Sequence, residues 1–492
     1  WGKGMHARQT HFTYRNCKHC SHGHYSQLYE NLIHIPYKQA KTAKYTLFFI
    51  KTICFLQKNK RRNMKPTICI ETLGCKVNFY ESEAMANLLT EAGYEVKLGL
   101  QPADIYIINT CAVTNEAEKK SRNYITKVLK LNPNAQIYVC GCSSQRSYQQ
   151  YEKPNVKAIF GTAKKMDLAK LIISLQQQPQ EQEQPMILNY TIANTYEDTM
   201  RAQPMRTRGV IKVQDGCNSF CTYCIIPYVR GRSRSRTLES IQRELSTMFT
   251  QTSEIVVAGV NLTEYGKDLH PQKSLADVAE LFRNAPVRFR FSSLEAGIIT
   301  EDFLQKLVTL PNFCPHFHLS MQSGCNKTLK NMNRKYTVQE FIKQVQTIRF
   351  YFPNAGITTD VIVGFPTETE ADFEETMQTV RLLKFSEMHI FPYSKRSGTF
   401  ASKLENVATN VKQRVQKLTQ LAHENQIEFL QNNIKFMQKV LIERKEGAYY
   451  RGFSENYIEC LVSSNTPLDI GTIVKTKPLR REGMYLIVEP VV

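Results

Sequence analysis

Cys217-Asn-Ser-Phe-Cys221-Thr-Tyr-Cys224 places three thiols within eight residues, at a C-x₃-C-x₂-C spacing. Three thiolates this close on one loop can hold three corners of a cubic iron–sulfur cluster and leave one iron without a protein ligand. That open iron can accept a small molecule. A structural zinc finger would want a fourth Cys or His close by, and none follows before His270.

Outward from this loop the chain alternates strands and helices. Candidate strands are 210–213, 254–258, 288–291, 316–319, 358–363 and 387–391, with amphipathic helices between them, for example 238–249 and 338–350. Six βα units make a barrel short of the usual eight, with a lateral opening that suits a large substrate. The cysteine loop follows the first of these strands, so it sits at the carboxyl-end mouth where barrel enzymes do their chemistry. Arg230, Arg232, Arg234 and Arg236 follow at alternate positions. As a strand they would point one way and could meet phosphates; as a loop they would only be solvated. Val411, Val415, Leu418 and Leu421 have helical spacing and pack a connecting helix.

Upstream, 67–73, 104–109 and 136–140 read as strands. Between them lie helices over 78–92, with Asn78 and Glu81 in a capping-box arrangement, and over 114–131. The alternation predicts a doubly wound parallel sheet. Cys75, Cys111 and Cys142 each fall just past the carboxyl end of one strand, and those ends line a single crevice in an open α/β sheet. Either the three thiols converge on a second cluster, or they are ordinary cysteines near buried strands. Cys69 and Cys140 lie within strands and read as small core hydrophobes.

The Gln/Glu/Pro run at 176–184 reads as a linker. Downstream, 438–443, 447–453, 457–463, 473–477 and 484–489 read as five short strands of a small antiparallel barrel of OB-like size. Lys475, Lys477, Arg480 and Arg481 there could track a nucleic-acid backbone or form a plain solvated turn.

The chain has 492 residues and a net charge of +20. Twelve Lys/Arg and one acid fall in residues 1–63, which leaves +9 for the remainder, a moderately basic body that fits a polyanionic partner. Cys17, Cys20 and the nearby histidines of the first 63 residues could bind zinc. The simpler expectation is a non-native or disordered extension preceding a working chain that begins at Met64. No apolar run reaches the length of a membrane span, which predicts no membrane partner. Clustered cysteines without a clean signal peptide predict metal ligation in a reducing cytoplasm.

The 217–224 triad, with Tyr223 before its last cysteine, resembles the radical S-adenosylmethionine (SAM) signature. That resemblance implies an open iron that chelates the amine and carboxylate of SAM. Two triads in this order resemble the methylthiotransferase family. The likeness is carried by Thr72-Leu-Gly-Cys75-Lys-Val-Asn78, Asn109-Thr-Cys111-Ala-Val-Thr114, Gly141-Cys142-Ser-Ser-Gln145 and Asp215-Gly-Cys217 through Arg236. Gly259-Val-Asn261, Leu319 through Gly324 and Asp360 through Pro366 match further family segments, while Thr367 and Cys325 depart from them.

The resemblance implies an α/β protein in parts: an N-terminal methylthiotransferase domain over 64–176, a linker over 177–204, a partial (β/α)6 radical SAM barrel over 205–432, and a TRAM-like RNA-binding barrel over 433–492. It implies two [4Fe–4S] clusters, one on Cys75, Cys111 and Cys142 and one on Cys217, Cys221 and Cys224, with SAM as co-substrate. Leu73-Gly-Cys75-Lys-Val-Asn78 and Phe391 through Thr399 look most like the branch acting on N6-threonylcarbamoyladenosine at tRNA position 37. The implied partners are a tRNA anticodon loop and an electron donor such as flavodoxin or ferredoxin, with the chain a monomer. The isopentenyladenosine branch, the ribosomal-protein branch, and a non-enzymatic RNA-binding protein with metal sites are the alternatives.

Overall fold

A computed structural model describes residues 65–178, 184–188, 190–198 and 200–491. The expectations for residues 1–63 lie outside the described residues. Six strands form the first sheet: β1 (Ile68–Thr72), β2 (Val96–Leu98), β3 (Ile105–Thr110), β4 (Gln136–Gly141), β5 (Val156–Phe160) and β6 (Met186–Leu188). Their order is β2-β1-β3-β4-β5-β6, and every pairing is parallel. All six residues of β3 are buried, as a strand covered on both faces requires. Helices α1 (Lys76–Glu91) and, after α2 (Asn115–Leu131) and the short α3 (Cys142–Arg146), α4 (Lys165–Gln177) cover one face. Helix α2 covers the other.

Two expectations need correction here. Helix α1 begins at Lys76, with Cys75 in the cap position and no side-chain cap bond. Asn78 and Glu81 are therefore no capping box; both are buried and bond elsewhere. The stretch expected as a plain linker carries β6, which adds an edge strand to the sheet.

The second half follows with β7 (Arg208–Lys212), a two-residue hairpin pair β8 (Gln214–Asp215) and β9 (Arg234–Ser235), then β10 (Glu254–Ala258), β11 (Arg288–Phe291), β12 (Ser293–Leu294), β13 (His316–Gln322), β14 (Gly356–Val363) and β15 (Glu387–Pro392). Strands β11-β10-β7 and β12-β13-β14-β15 form two parallel sheets, and the chain passes from one to the other at Ser292. Strands β7 and β15 are the outer strands of these sheets, so the barrel is open. Outward-facing Ile255, Val257, Phe289 and Phe291 pack a core beneath α6 (Leu238–Met248, after α5, Ile226–Arg230), α7 (Val338–Tyr351) and α8 (Glu370–Leu383). Inward-facing Val210, Val256 and Ala258 instead join the core of the first sheet, beside Tyr80 and Met85 of α1. The open side of the barrel is thus closed by the α/β unit that precedes it.

Helix α9 (Val411–Asn433) leads to a closed barrel of β16 (Gln438–Glu446), β17 (Tyr449–Phe453), β18 (Glu459–Ser463), β19 (Ile473–Glu482) and β20 (Tyr485–Pro490). Its pairs are antiparallel, as expected, with β18–β20 the one parallel pair that closes the barrel. This barrel docks on the amino ends of the inner strands. Arg288 donates to the carbonyls of Lys439 and Phe453 at 2.6 and 2.9 Å, and His316 stacks on Tyr457 at 4.4 Å. Among the described residues no helix is long and apolar enough to cross a membrane.

Candidate active site

The signature loop is locked from several sides. Gly216 has φ +72°, and a Cβ there would lie 1.9 Å from the Arg232 carbonyl, so only glycine permits the turn that launches Cys217. Asn333 Nδ2 donates to the carbonyls of Ser219 and Phe220 at 3.2 and 3.0 Å, and Thr222 Oγ1 donates to the Asn331 carbonyl at 2.8 Å. Thr367 accepts from Asn331 at 2.8 Å, so this departure from the family pattern still supports the loop. Tyr223 packs against Met332, Phe365 and Ala401. Cys325 is buried near Asp372, with its thiol 3.5 Å from Oδ1.

Each sulfur of the loop has a donor beside it. Arg334 Nη1 lies 3.4 Å from Cys221 Sγ, Asn261 Nδ2 3.6 Å from Cys217 Sγ, and the Ile226 N–H 3.4 Å from Cys224 Sγ. Such donors stabilise sulfur that carries negative charge and tune a bound cluster. Burial pushes the Cys221 thiol up, and burial with the adjacent Cys221 thiol pushes Cys224 up to about 12. Iron must displace those protons. Neither Arg334 nor Asn333 stood out in the sequence, although both lie in an Asn-Arg-Lys run close to the family segment at 319–324.

The upstream triad converges as the sheet order demands, since β1, β3 and β4 are neighbours. Cys75 follows β1, Cys111 follows β3, and Cys142 opens α3 directly after β4. Gly74 has φ +99°, and a Cβ there would meet Cys111 Sγ at 2.7 Å, so glycine allows the Cys75 turn to press against the second thiol. Burial, then the neighbouring Cys142 thiol, pushes Cys111 up to about 12. Cys75 is exposed, whereas Cys111 and Cys142 are buried. A group held here would keep one side open.

Arg230 joins the two triads. It ends α5, the helix that leaves the signature loop, and its Nε lies 3.3 Å from Cys142 Sγ. Its Nη2 donates to Asn78 Oδ1 at 2.7 Å and to Glu81 at 3.0 Å; its Nη1 donates to Glu81 and Asp215, each at 3.0 Å. Glu81 also takes Lys165 at 2.5 Å and Lys212 at 2.8 Å, and Asp215 takes Arg234 at 3.2 Å. Burial alone would raise both carboxyls; Arg230 first, then the lysines and Arg234, hold them well below the ordinary range. The phosphate-facing role expected for the arginine series is overturned for three of the four. Arg230, Arg234 and Arg236 are buried, Arg236 on Glu244 at 2.5 Å, and only Arg232 is exposed. Their charge is consumed inside the protein.

The donor sets fit iron–sulfur groups. Four buried cations (Lys165, Lys212, Arg230, Arg234) face two buried carboxylates beside Cys142, a surplus that suits an anionic thiolate-bound cluster. A single tetrahedral zinc would draw thiolates to roughly 4 Å of one another. Among the described residues, the group of three ligand side chains gathered to within 4.8 Å is His318, Asp360 and His389, not either cysteine triad. Arg396, from the 391–399 segment, is buried and pairs with Glu118 of α2 at 2.5 Å, so that signature fastens the two halves together.

Comparison with known proteins matches residues 67–161 to the family described as "Uncharacterized protein family UPF0004" and residues 211–380 to the radical SAM superfamily, whose members use SAM and a [4Fe–4S] cluster. The threonylcarbamoyladenosine tRNA methylthiotransferase MtaB of Bacillus subtilis is 39% identical over 433 residues, covering 85% of this chain and 95% of that protein. Its namesake from Thermotoga maritima is 38% identical over 425 residues, covering 85% and 96%. The tRNA-2-methylthio-N(6)-dimethylallyladenosine synthase of Clostridium tetani is 35% identical over 407 residues, covering 78% and 86%. Two cysteine triads on the two matched segments, joined through one arginine, sit on a chain that belongs to the MtaB-type family of radical SAM methylthiotransferases.

Proposed function

We propose that this methylthiotransferase acts on C2 of N6-threonylcarbamoyladenosine at position 37 of tRNA, with one [4Fe–4S] cluster on Cys217, Cys221 and Cys224 and a second on Cys75, Cys111 and Cys142. The observation that supports the reading is the 3.3 Å contact of Arg230 with Cys142, because it links the helix leaving the signature loop to a thiol of the upstream triad. When bound, the first cluster with SAM supplies one-electron chemistry that activates a carbon–hydrogen bond, and the second supplies the sulfur. The chain's own contribution is positioning. Arg334 and Asn261 hold the signature sulfurs, Arg230 fixes the spacing of the triads, and α1 closes the barrel's open side against water. The residues read as 64–176, 205–432 and 433–492 are assigned the second cluster, the SAM chemistry and RNA binding. An anticodon-loop base must leave its stack to reach the site. A flavodoxin- or ferredoxin-type carrier supplies electrons, and the chain works as a monomer in the cytoplasm.

Nucleoside analysis of tRNA from a deletion strain tests the substrate. Threonylcarbamoyladenosine should accumulate and its 2-methylthio form should vanish. Persistence of that form, with loss of the isopentenyl counterpart or of a methylthio mass on a ribosomal protein, would move the chain to another branch.

RNA contact is assigned to the outward face of β19, where Lys475, Lys477 and Arg480 are exposed and Arg481 is half-buried. Changing all four to Glu should weaken tRNA binding by tenfold or more, roughly, and flatten the salt dependence by about 3 in log–log slope, since each neutralised phosphate releases counterions. A slope equal to wild type, measured between low and moderate salt, would exclude this face.

A further inference from the structure

Inside the open barrel is a cavity of about 60 Å³, walled by inward-facing residues of several strands and by Tyr457 of the C-terminal barrel. Three polar atoms on residues of its wall have no hydrogen-bond partner: Arg290 Nη1, Ser292 Oγ and His316 Nδ1. Their residues are 2, 7 and 7% exposed. A buried donor or acceptor left unmet destabilises the fold. Three around one hollow therefore point to a ligand that supplies partners for them.

The charge around the hollow gives the ligand's sign. Glu254 accepts from Arg288 Nε at 2.6 Å and Arg290 Nε at 2.7 Å, and Arg208 lies 4.0 Å from it while pairing with Glu443 at 2.8 Å. Three guanidinium groups thus share two carboxylates, an excess of one positive charge beside Arg290, while the further acid Asp360 is engaged by His318 at 3.1 Å. Lys76 and Glu387, both on the wall, offset each other. The size is also telling. A water needs only about 10–15 Å³ of such space, so the hollow has room for a group of a few heavy atoms such as a carboxylate.

Its depth connects it to the chemistry. Arg334 bonds Cys221 Sγ with one nitrogen and the Ser320 carbonyl, at 3.0 Å, with another. His318 lies two residues before Ser320 on β13, and His316 four residues before it. At about 3.3 Å per residue, the cavity begins roughly 7 Å below the signature loop's anchor. By the same measure His316 lies roughly 13 Å down, so a base whose N6 arm meets all three groups must enter the barrel mouth.

We propose that this cavity is the pocket that reads the substrate's N6 substituent, with Arg290, Ser292 and His316 receiving the carboxylate and hydroxyl of an amino-acid side arm. The assignment rests on the threonylcarbamoyladenosine reading and extends it to specificity. An isopentenyl arm has nothing to offer these three atoms and would leave them buried and unpaired, which is how a polar site rejects an apolar analogue. His318 and His389 on the same wall, with Asp360 beside them, have donor atoms close enough for a cation. Both ring nitrogens of His318 are already engaged, however, by Thr358 at 2.9 Å and Asp360 at 3.1 Å.

The test uses the full, cluster-reconstituted chain and three anticodon stem-loop RNAs, carrying at position 37 threonylcarbamoyladenosine, its carboxyl methyl ester, or unmodified adenosine. Wild type should bind the acid about tenfold or more tighter than the ester. Arg290→Gln should erase that preference. Ser292→Asp, which places a negative charge at the wall without removing the Arg290–Glu254 pair, should reverse it. Equal binding of acid and ester by wild type overturns the pocket and leaves the substrate reading standing. If neither modified loop binds better than unmodified adenosine, the substrate reading falls and the pocket with it. A preference abolished by EDTA would transfer recognition to a cation on His318, Asp360 and His389, and would overturn the assignment to Arg290, Ser292 and His316.

Discussion

Replacing Cys217, Cys221 and Cys224 with alanine should abolish reductive cleavage of SAM and leave roughly half the iron of the anaerobically reconstituted wild type. Replacing Cys75, Cys111 and Cys142 should remove a similar share of iron while SAM cleavage to 5′-deoxyadenosine continues and methylthio product disappears. The asymmetry follows from where the donors lie. Arg334, Asn261 and the Ile226 N–H serve only the signature sulfurs, so that half of the site is built independently of the first sheet. The upstream thiols depend on Gly74, Arg230 and the β1-β3-β4 order. Iron content and 5′-deoxyadenosine release, measured on the same preparations with circular dichroism to confirm folding, decide the matter. Full iron in either triple variant would refute the ligand assignment. Loss of SAM cleavage in both, with folded protein, would refute the division of labour.

What the sequence made legible was set by chemistry that repeats locally. Thiols at C-x₃-C-x₂-C announce themselves, and so do six apolar strand runs between amphipathic helices; the observed inner strands start within two residues of the expected ones. Cys75, Cys111 and Cys142 could be brought together because a parallel sheet puts its carboxyl ends on one side. The misreadings share a different cause. Asn78 and Glu81 have the spacing of a capping box, but their partners are Arg230, Lys165 and Lys212, between 84 and 152 residues away. No window of local sequence contains that information. The Arg230–Arg236 series failed for the same reason: alternate cations look like a phosphate-binding stripe until the buried acids opposite them are known. Strand β6 was hidden by the Gln/Glu/Pro run that precedes it, since three residues on a sheet edge carry almost no pattern of their own. The lumen pocket lies outside the family segments. His316 and His318 sit in an expected strand and Ser292 just past another, and only the assembled barrel brings these residues to the wall of a common hollow.

Glu81→Gln should be the most damaging single substitution that touches neither a cysteine nor a strand. The carboxylate is fully buried and is met by Arg230, Lys165 and Lys212. Without its charge, four buried cations face Asp215 alone. Removing one partner of a buried ionic cluster costs about 3–5 kcal/mol, because the charges left behind stay desolvated. The pH dependence identifies the cause. Burial opposes ionisation of Glu81, but Arg230 and the two lysines prevail and hold its folded pKa well below the ordinary 4.5. An acid depressed on folding contributes its stability above its unfolded pKa and loses it as pH falls through the folded value. Urea midpoints of wild type and variant should therefore differ by a constant amount from pH 8 to pH 6 and begin to converge only in acid, below pH 4.5 or so. A second consequence lies in the site. Arg230 is aimed at Cys142 by Glu81, Asp215 and Asn78 together, so the variant should bind iron less firmly at the upstream triad than at the signature triad. That loss would appear as chelator-accessible iron released ahead of the rest, with SAM cleavage largely kept. A variant that unfolds at the wild-type urea concentration at pH 7 would show that the Glu81 carboxylate contributes no net stability to this cluster of charges.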